Sequence, residues 1–214
     1  LAPPFIKGFE NSDLVESGVA PVRKKDAPTW KRTTDAASFG EGALFLNNYN
    51  IRSERIAQFR LPRLDLSDMN NPTLKYDLAF ATNPGEVSDR LRVYYSTDCG
   101  QTWEEAAINF HFNMTTKEQV DEAFYPEDDA EWLTKEVNNL PAKSDLLVRF
   151  DWQTSAGGNN AFIDNIRMNW TVGRESAVSA NAEPDIGVYP NPTKGTINLQ
   201  NNGSSLEGPI QVIN

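Results

Sequence analysis

The sequence predicts an all-β protein built as an antiparallel jelly-roll β-sandwich, and three observations carry that expectation. Eight short runs of strand character recur through the first 170 residues, at 43–49, 56–61, 74–81, 91–96, 103–110, 132–137, 146–152 and 161–170. Several alternate with period two, as a half-buried sheet requires: Leu91, Val93 and Tyr95 fall on one side, Arg90, Arg92 and Tyr94 on the other. Turn chemistry separates the runs, at Asn83-Pro84-Gly85, Asp98-Cys99-Gly100 and Gly157-Gly158-Asn159-Asn160, and only 116–123 has brief helical character. Many short strands divided by turns favour a closed sandwich.

In chain order, the run at 91–96 leads through the Asp98-Cys99-Gly100 turn into 103–110, as a hairpin would. His111 follows within Asn109-Phe110-His111-Phe112-Asn113 and is expected to continue that strand, alternating with the two aromatics. In 146–152, Leu146, Val148, Phe150 and Trp152 alternate with Leu147, Arg149 and Asp151. The composition then changes. Residues 171–185 (TVGRESAVSANAEPD) hold no large apolar residue besides Val172 and Val178 and read as a linker. From 186 a strand, a Pro/Asn turn and a second strand follow, with a third beginning at 209–213. About thirty residues are too few for a core of their own. The expected organisation is a sandwich over 1–170, a linker over 171–185 and the first part of a small β-sandwich over 186–214. The opening Leu1-Ala2-Pro3-Pro4 has no signal-peptide pattern and reads as the start of a processed or internal piece of a longer protein.

Composition narrows the function. The 214 residues carry 20 Lys+Arg against 30 Asp+Glu, a net charge of -10, with an isoelectric point near 4.6 and a mean hydropathy of -0.54. That balance argues against nucleic acid as a partner, which is held mainly by Lys/Arg contacts to phosphate. No apolar run approaches the ~20 residues of a membrane helix, so no membrane insertion is expected. The chain has one His and one Cys. A two-His zinc site, a Cys/His cluster and an intramolecular disulfide are therefore excluded within it. A Ser-His-Asp triad would need His111, and a glycosidase would need a carboxylate pair such as Asp89 and Asp151 across a cleft; neither arrangement is indicated. The expectation is a module that is not an enzyme.

Three local patterns stand out. Ser96-Thr97-Asp98-Cys99-Gly100-Gln101-Thr102-Trp103 fits S-x-D-x-G-x-T-W, a hairpin turn in which the Asp98 carboxylate accepts turn N–H groups, Gly100 takes positive φ and Trp103 packs over the turn. Glu10, in the opening segment, and Asp164, in the last strand of the sandwich, would approach if first and last strands pair. Two carboxylates together repel unless a proton or cation intervenes, and calcium takes six to eight oxygens. Trp30, Trp132, Tyr125, Phe110 and Phe112 are either core aromatics or a sugar-stacking platform. The acidic stretch Glu127-Asp128-Asp129 with Glu131 reads as a solvated loop or a second cation site.

The segments PFIKGFE, FLNNYN, PTLKYDLAFA, SDRLRVYYSTDCGQTW and GGNNAFIDNIRM, in that order, resemble MAM-like jelly-roll modules, also called choice-of-anchor J domains, over about residues 4–170. The resemblance implies an accessory or adhesion module of a large secreted bacterial protein, often lying behind a metallopeptidase domain. The GFE…IDNI pairing is also similar to carbohydrate-binding jelly rolls with a structural calcium. By that likeness Glu10 and Asp164 are side-chain ligands of Ca2+, and Ser12 and Glu41 supply backbone oxygens. VYPNPTKGTINL resembles the start of the C-terminal sorting domain of type IX secretion substrates through Val188, Tyr189, Pro190, Asn191, Pro192 and Gly195. That likeness implies export by the type IX translocon of a Gram-negative bacterium and handling by its outer-membrane shuttle and attachment machinery. The protein would then be secreted or on the cell surface. The family's further strands would lie past Asn214. Other implied partners are surface glycans and an upstream domain of the same protein.

Overall fold

The computed structural model describes residues 6–11, 14, 18–171, 186–189 and 198–201. The chain divides into two compact units, Leu1–Gly173 and Arg174–Asn214.

The first unit is an all-β sandwich of two antiparallel sheets. Its strands are β1 (Ile6–Lys7), β2 (Ala20–Val22), β3 (Lys31–Thr33), β4 (Ala43–Leu46), β5 (Ile56–Arg60), β6 (Asn70–Thr82), β7 (Arg90–Ser96), β8 (Glu104–Phe110), β9 (Leu133–Val137), β10 (Leu147–Gln153) and β11 (Gly158–Thr171). The six-stranded sheet runs β3-β4-β11-β6-β9, with β1 also on β11, and the five-stranded sheet runs β2-β5-β10-β7-β8. From β4 to β11 the chain crosses repeatedly between the sheets, which places β11 beside β4 and β10 beside β5. These eight strands form the jelly roll. The three short strands before β4 had no alternating signal of their own; they thicken the edges.

The core is aromatic. Phe59 and Phe150 stack at 4.6 Å, Trp152 meets Phe80 at 5.0 Å and Trp30 at 6.1 Å, and all five are buried. Trp30 is thereby a core residue and takes no part in a surface platform. The second half of β6, Leu78–Thr82 in sequence LAFAT, is buried at every position. Alternation is lost there because the sheet is covered on its outer face too. Ala79 and Ala81 pack with Ala36, Phe124 and Phe162, and with partly buried Phe45, Val120 and Trp132. Tyr125 stacks on Phe45 at 5.8 Å. Trp132 and Tyr125 thus belong to a cover over the six-stranded sheet.

Two expectations are corrected in that cover. His111 does not continue a strand: β8 stops at Phe110 and His111 opens a four-residue helix, α1 (His111–Met114). The His111 N–H donates to Asp89 O, and the Thr115 N–H and hydroxyl both donate to His111 O, at 2.9 and 2.8 Å, closing the turn. Residues 116–123 form no helix. Their backbone is drawn to the edge of β6, with Thr116 N–H donating to Phe80 O, Thr82 N–H to Lys117 O and Val120 N–H to Thr82 O. An eight-residue helix is marginal in water, and sheet pairing outcompetes it. The acidic stretch makes a single 3-10 turn, Asp129–Glu131, capped by Asp128. Glu131 pairs with Lys117 at 2.6 Å, which takes it away from a second cation site.

In the second unit, β12 (Ile186–Tyr189) and β13 (Asn198–Asn201) pair antiparallel, with Val188 opposite Leu199 and Tyr189 opposite Asn198. Pro190, Asn191, Pro192, Gly195 and the expected strand at 209–213 lie outside the described residues.

Candidate functional site

The calcium expectation rests on first and last strands meeting, and they do: β1 pairs with β11, Lys7 opposite Ile166. The register of β11 against β6 shifts between Asp164 and Arg167, where Asn165 takes φ 48°. That irregularity lets Asp164 engage the 38–41 loop. Asp164 Oδ2 accepts the Ser38 and Phe39 N–H groups, both at 2.9 Å, and Oδ1 accepts the Asn165 N–H. Glu10 reaches the same loop, its Oε2 accepting the Glu41 N–H at 2.7 Å. Oε1 lies over Gly40, at φ 71°, where a Cβ would come within 2.1 Å of it. Both carboxylates therefore end on one four-residue loop.

The donor set fits a hard cation in part. Burial pushes the Asp164 carboxyl up to about 6, against the N–H groups that hold it down, a cost that a bound cation relieves. Glu10 Oε1 has no donor among the described residues. No group of three or more His, Cys, Asp or Glu side chains gathers among them either, so an ion here would need backbone oxygens. Two are already taken: Arg32 donates to Phe9 O at 2.6 Å and to Glu10 O at 3.2 Å. Glu41 meets Glu10 through its backbone N–H. Ser12 lies outside the described residues.

A second polar cluster went unassigned in the sequence. Asp89 is fully buried beyond the end of the five-stranded sheet. Its Oδ1 accepts Asn48 Nδ2 at 2.9 Å and Trp152 Nε1 at 3.0 Å, and its Oδ2 accepts the Ser155 hydroxyl. Asn159 Nδ2 donates to Asn83 Oδ1 at 2.7 Å and to Glu122 O at 2.8 Å, while its Oδ1 accepts the Phe124 N–H. Asn160 Oδ1 accepts the Asn48 and Tyr49 N–H groups. The first glycine of β11 is required by this crowding: a Cβ on Gly158 would stand 2.4 Å from Asn48 Nδ2 and 2.5 Å from the Asp89 oxygens. The asparagines of FLNNYN and GGNN were visible as motifs, but nothing local marked them as mutual partners. Asp151 faces away from Asp89, for it alternates with the Trp152 that Asp89 binds, so the two make no catalytic pair.

This cluster holds the loops that surround two cavities. One, of about 290 Å³, is lined by Tyr49, Arg52, Asn83, Pro84, Val120, Asp121 and Ala156. The other, of about 280 Å³, has Thr82, Asn83, His111, Phe112, Thr115 and Gln119 among its lining. Phe112 is 72% exposed at its rim and stacks on Phe110 at 5.5 Å with rings 5° from parallel. Arg90 in turn lies over the Phe110 ring.

The Asp98 turn is closed by its own side chains. The Asp98 carboxylate accepts the Thr102 N–H and hydroxyl and the Ser96 hydroxyl, which hold it well below the usual carboxylate range. Gly100 takes φ 85°, and Trp103 donates from Nε1 to Gly100 O at 3.2 Å.

The sandwich is similar to two cleaved adhesin domains of Lys-gingipain from Porphyromonas gingivalis. One is 16% identical with a TM-score of 0.53, covering 78% of this chain and 98% of that one. The other is 16% identical with a TM-score of 0.52, covering 77% and 97%. It is also similar to a structure described as carbohydrate-binding modules of the β-sandwich superfamily, 15% identical, TM-score 0.51, covering 76% of this chain and 60% of that one. At these identities the likeness is one of fold. No protein-family model and no curated protein matches the sequence. Among the described residues no helix is long and apolar enough to cross a membrane.

Asp89 sets a pH dependence. Desolvation raises its pKa in the folded state, against the hydrogen bonds from Ser155, Trp152 and Asn48. The fold therefore binds this proton more tightly than the unfolded chain does. Its contribution to stability is greatest below the ordinary carboxylate pKa of about 3.9 and falls as pH rises from there through the folded value, by up to ~1.4 kcal/mol per pH unit. Asp89→Asn keeps an acceptor for Asn48 and Trp152 and removes the titration. In urea unfolding at pH 5 and pH 7.5, the variant should gain on the parent at the higher pH; parallel stability-pH curves would refute the assignment.

Proposed function

We propose that the first unit is a non-catalytic, adhesion-type binding module for glycans, carried on an exported bacterial protein. The observation that carries the reading is the exposed Phe112, backed by Phe110, at the rim of a cavity lined by Thr82, Asn83, Thr115 and Gln119. A flat apolar ring beside hydroxyls and amides suits a sugar, which has C–H faces and hydroxyl edges. The fold likeness to adhesin domains and carbohydrate-binding modules supports the reading. The meeting of Glu10 and Asp164 on the 38–41 loop supports a structural Ca2+ that would tie the opening segment to β11. The VYPNPTKGTINL segment supports a type IX sorting signal, and with it a cell-surface destination.

Each part has its own test. On a glycan array the chain should give reproducible hits that Phe112→Ala lowers at least tenfold; a blank array would make the module a scaffold. Thorough metal removal should lower the melting temperature by about 5 °C or more, given ~2.7 kcal/mol from an ion at a hundred times its Kd and ~2–4 °C per kcal/mol. An unchanged melting curve would count against calcium. In a type IX-competent host, deleting residues 186–214 should leave the protein in the periplasm, and normal surface display of that deletion would rule out the sorting role.

A further inference from the structure

The outer face of the five-stranded sheet has a different chemistry from the loop end. The inward residues Leu91, Val93, Phe59, Phe150 and Trp152 are all in the core, so the alternate positions face outward. There Arg149 lies directly opposite Arg60 on β5 and Tyr94 on β7. Asp151 lies opposite Arg92, and Gln153 opposite Arg90. Four arginines thus share one face with two carboxylates, Asp151 and Glu105, in a chain whose net charge is -10. Like charges directly opposed across a strand pair are destabilising, yet Arg60 and Arg149 are so placed.

Aromatic rings hold this arrangement. The Arg149 guanidinium lies 4.4 Å from the Trp103 ring centre and 4.7 Å from that of Tyr94, and the Arg60 guanidinium 5.3 Å from Trp103. The Asp98 turn fixes Trp103, so the turn motif sets the arginine positions at one remove. Two of the four guanidiniums, those of Arg60 and Arg90, keep their donors unspent. Arg149 Nε stands 2.9 Å from Asp151 Oδ1, but neither atom has a partner in hydrogen-bond geometry. Among the described residues Arg60 and Arg90 have ring contacts and no hydrogen-bonded acceptor. Arg92 is engaged with Glu105 at 3.3 Å and Gln153 at 3.2 Å, and Arg149 with Asp151.

We propose that this face binds an acidic glycan, a polysaccharide bearing carboxylates or sulfates; the proposal rests on the glycan-binding reading and assigns it a ligand class on a second surface. Planar guanidiniums laid against rings present paired N–H donors that match carboxylate and sulfate oxygens. Strands lie about 4.8 Å apart and same-face residues about 6.8 Å apart along a strand. An extended polymer with regularly spaced acid groups can therefore meet two arginines at once. The acidic remainder of the chain disfavours a denser polyanion such as nucleic acid.

Affinity electrophoresis of the whole chain tests this with polygalacturonate for carboxylates, heparin for sulfates, and xylan as the neutral control. Retardation by at least one acidic polymer is expected, weakening about tenfold or more between 50 and 500 mM salt. The R60Q variant, which breaks no ion pair and lies against Trp103, not against the Phe110–Phe112 pair, should lose about fivefold in affinity with an unchanged melting curve. Phe112→Ala should leave acidic binding intact. No retardation by either acidic polymer, equal retardation of the R60Q variant, or stronger binding to poly-L-glutamate or DNA would overturn the proposal. Array hits on neutral glycans that depend on Phe112, without acidic binding, would overturn it while sparing the glycan-binding reading.

Discussion

The loops at one end of the sandwich hang on a small group of polar side chains that must satisfy one another out of water. Asp89, Asn48, Asn159 and Asn160 are each no more than 1% exposed, and a buried polar group left unpaired costs about 1–3 kcal/mol. Their bonds reach the 48–49 backbone, Trp152, Ser155, Asn83 and the 122–124 backbone. The segments at 48–49, 83 and 122–124 are therefore positioned by the start of β11. The same constraint accounts for Gly158, where close approach of the Asp89 carboxylate excludes any side chain.

Coupled to it is the cover over the six-stranded sheet. Asn159 and Asn160 draw in residues 120–124, which brings Phe124 onto Phe162 and takes 116–120 along the edge of β6. The His111 N–H binds the backbone oxygen of Asp89, so the helix that presents Phe112 starts from the residue at the centre of the polar cluster.

The five-stranded sheet depends on a different restraint. Guanidiniums in water are mobile and well hydrated; against aromatic rings they are held flat with part of their surface dry. Trp103 supplies that restraint because its Nε1–H is already committed to Gly100 O, which sets the ring plane. The short turn motif is in this sense part of the sheet's surface chemistry as well as the closure of a hairpin.

Runs of apolar and β-branched residues divided by turn residues located all eight jelly-roll strands within a few residues, because that composition is local to each strand. The Asp98 turn was equally legible, since all its partners lie within eight residues. The strands before β4 were not, being too short for a period. The expected helix at 116–123 and the expected strand at His111 failed for one reason: their backbone partners, Phe80, Thr82 and Asp89, lie 22 or more positions away. Glu10 and Asp164 could be named from a resemblance, but only the fold shows them sharing the 38–41 loop, with Arg32 on the neighbouring carbonyls. By itself the sequence determined the strand pattern, the acidity and the scarcity of His and Cys, all of which are local or additive properties. The tertiary structure alone decided which buried amides bond, which arginines face one another across strands and which aromatic is left in water, because each depends on pairing between residues remote in the chain.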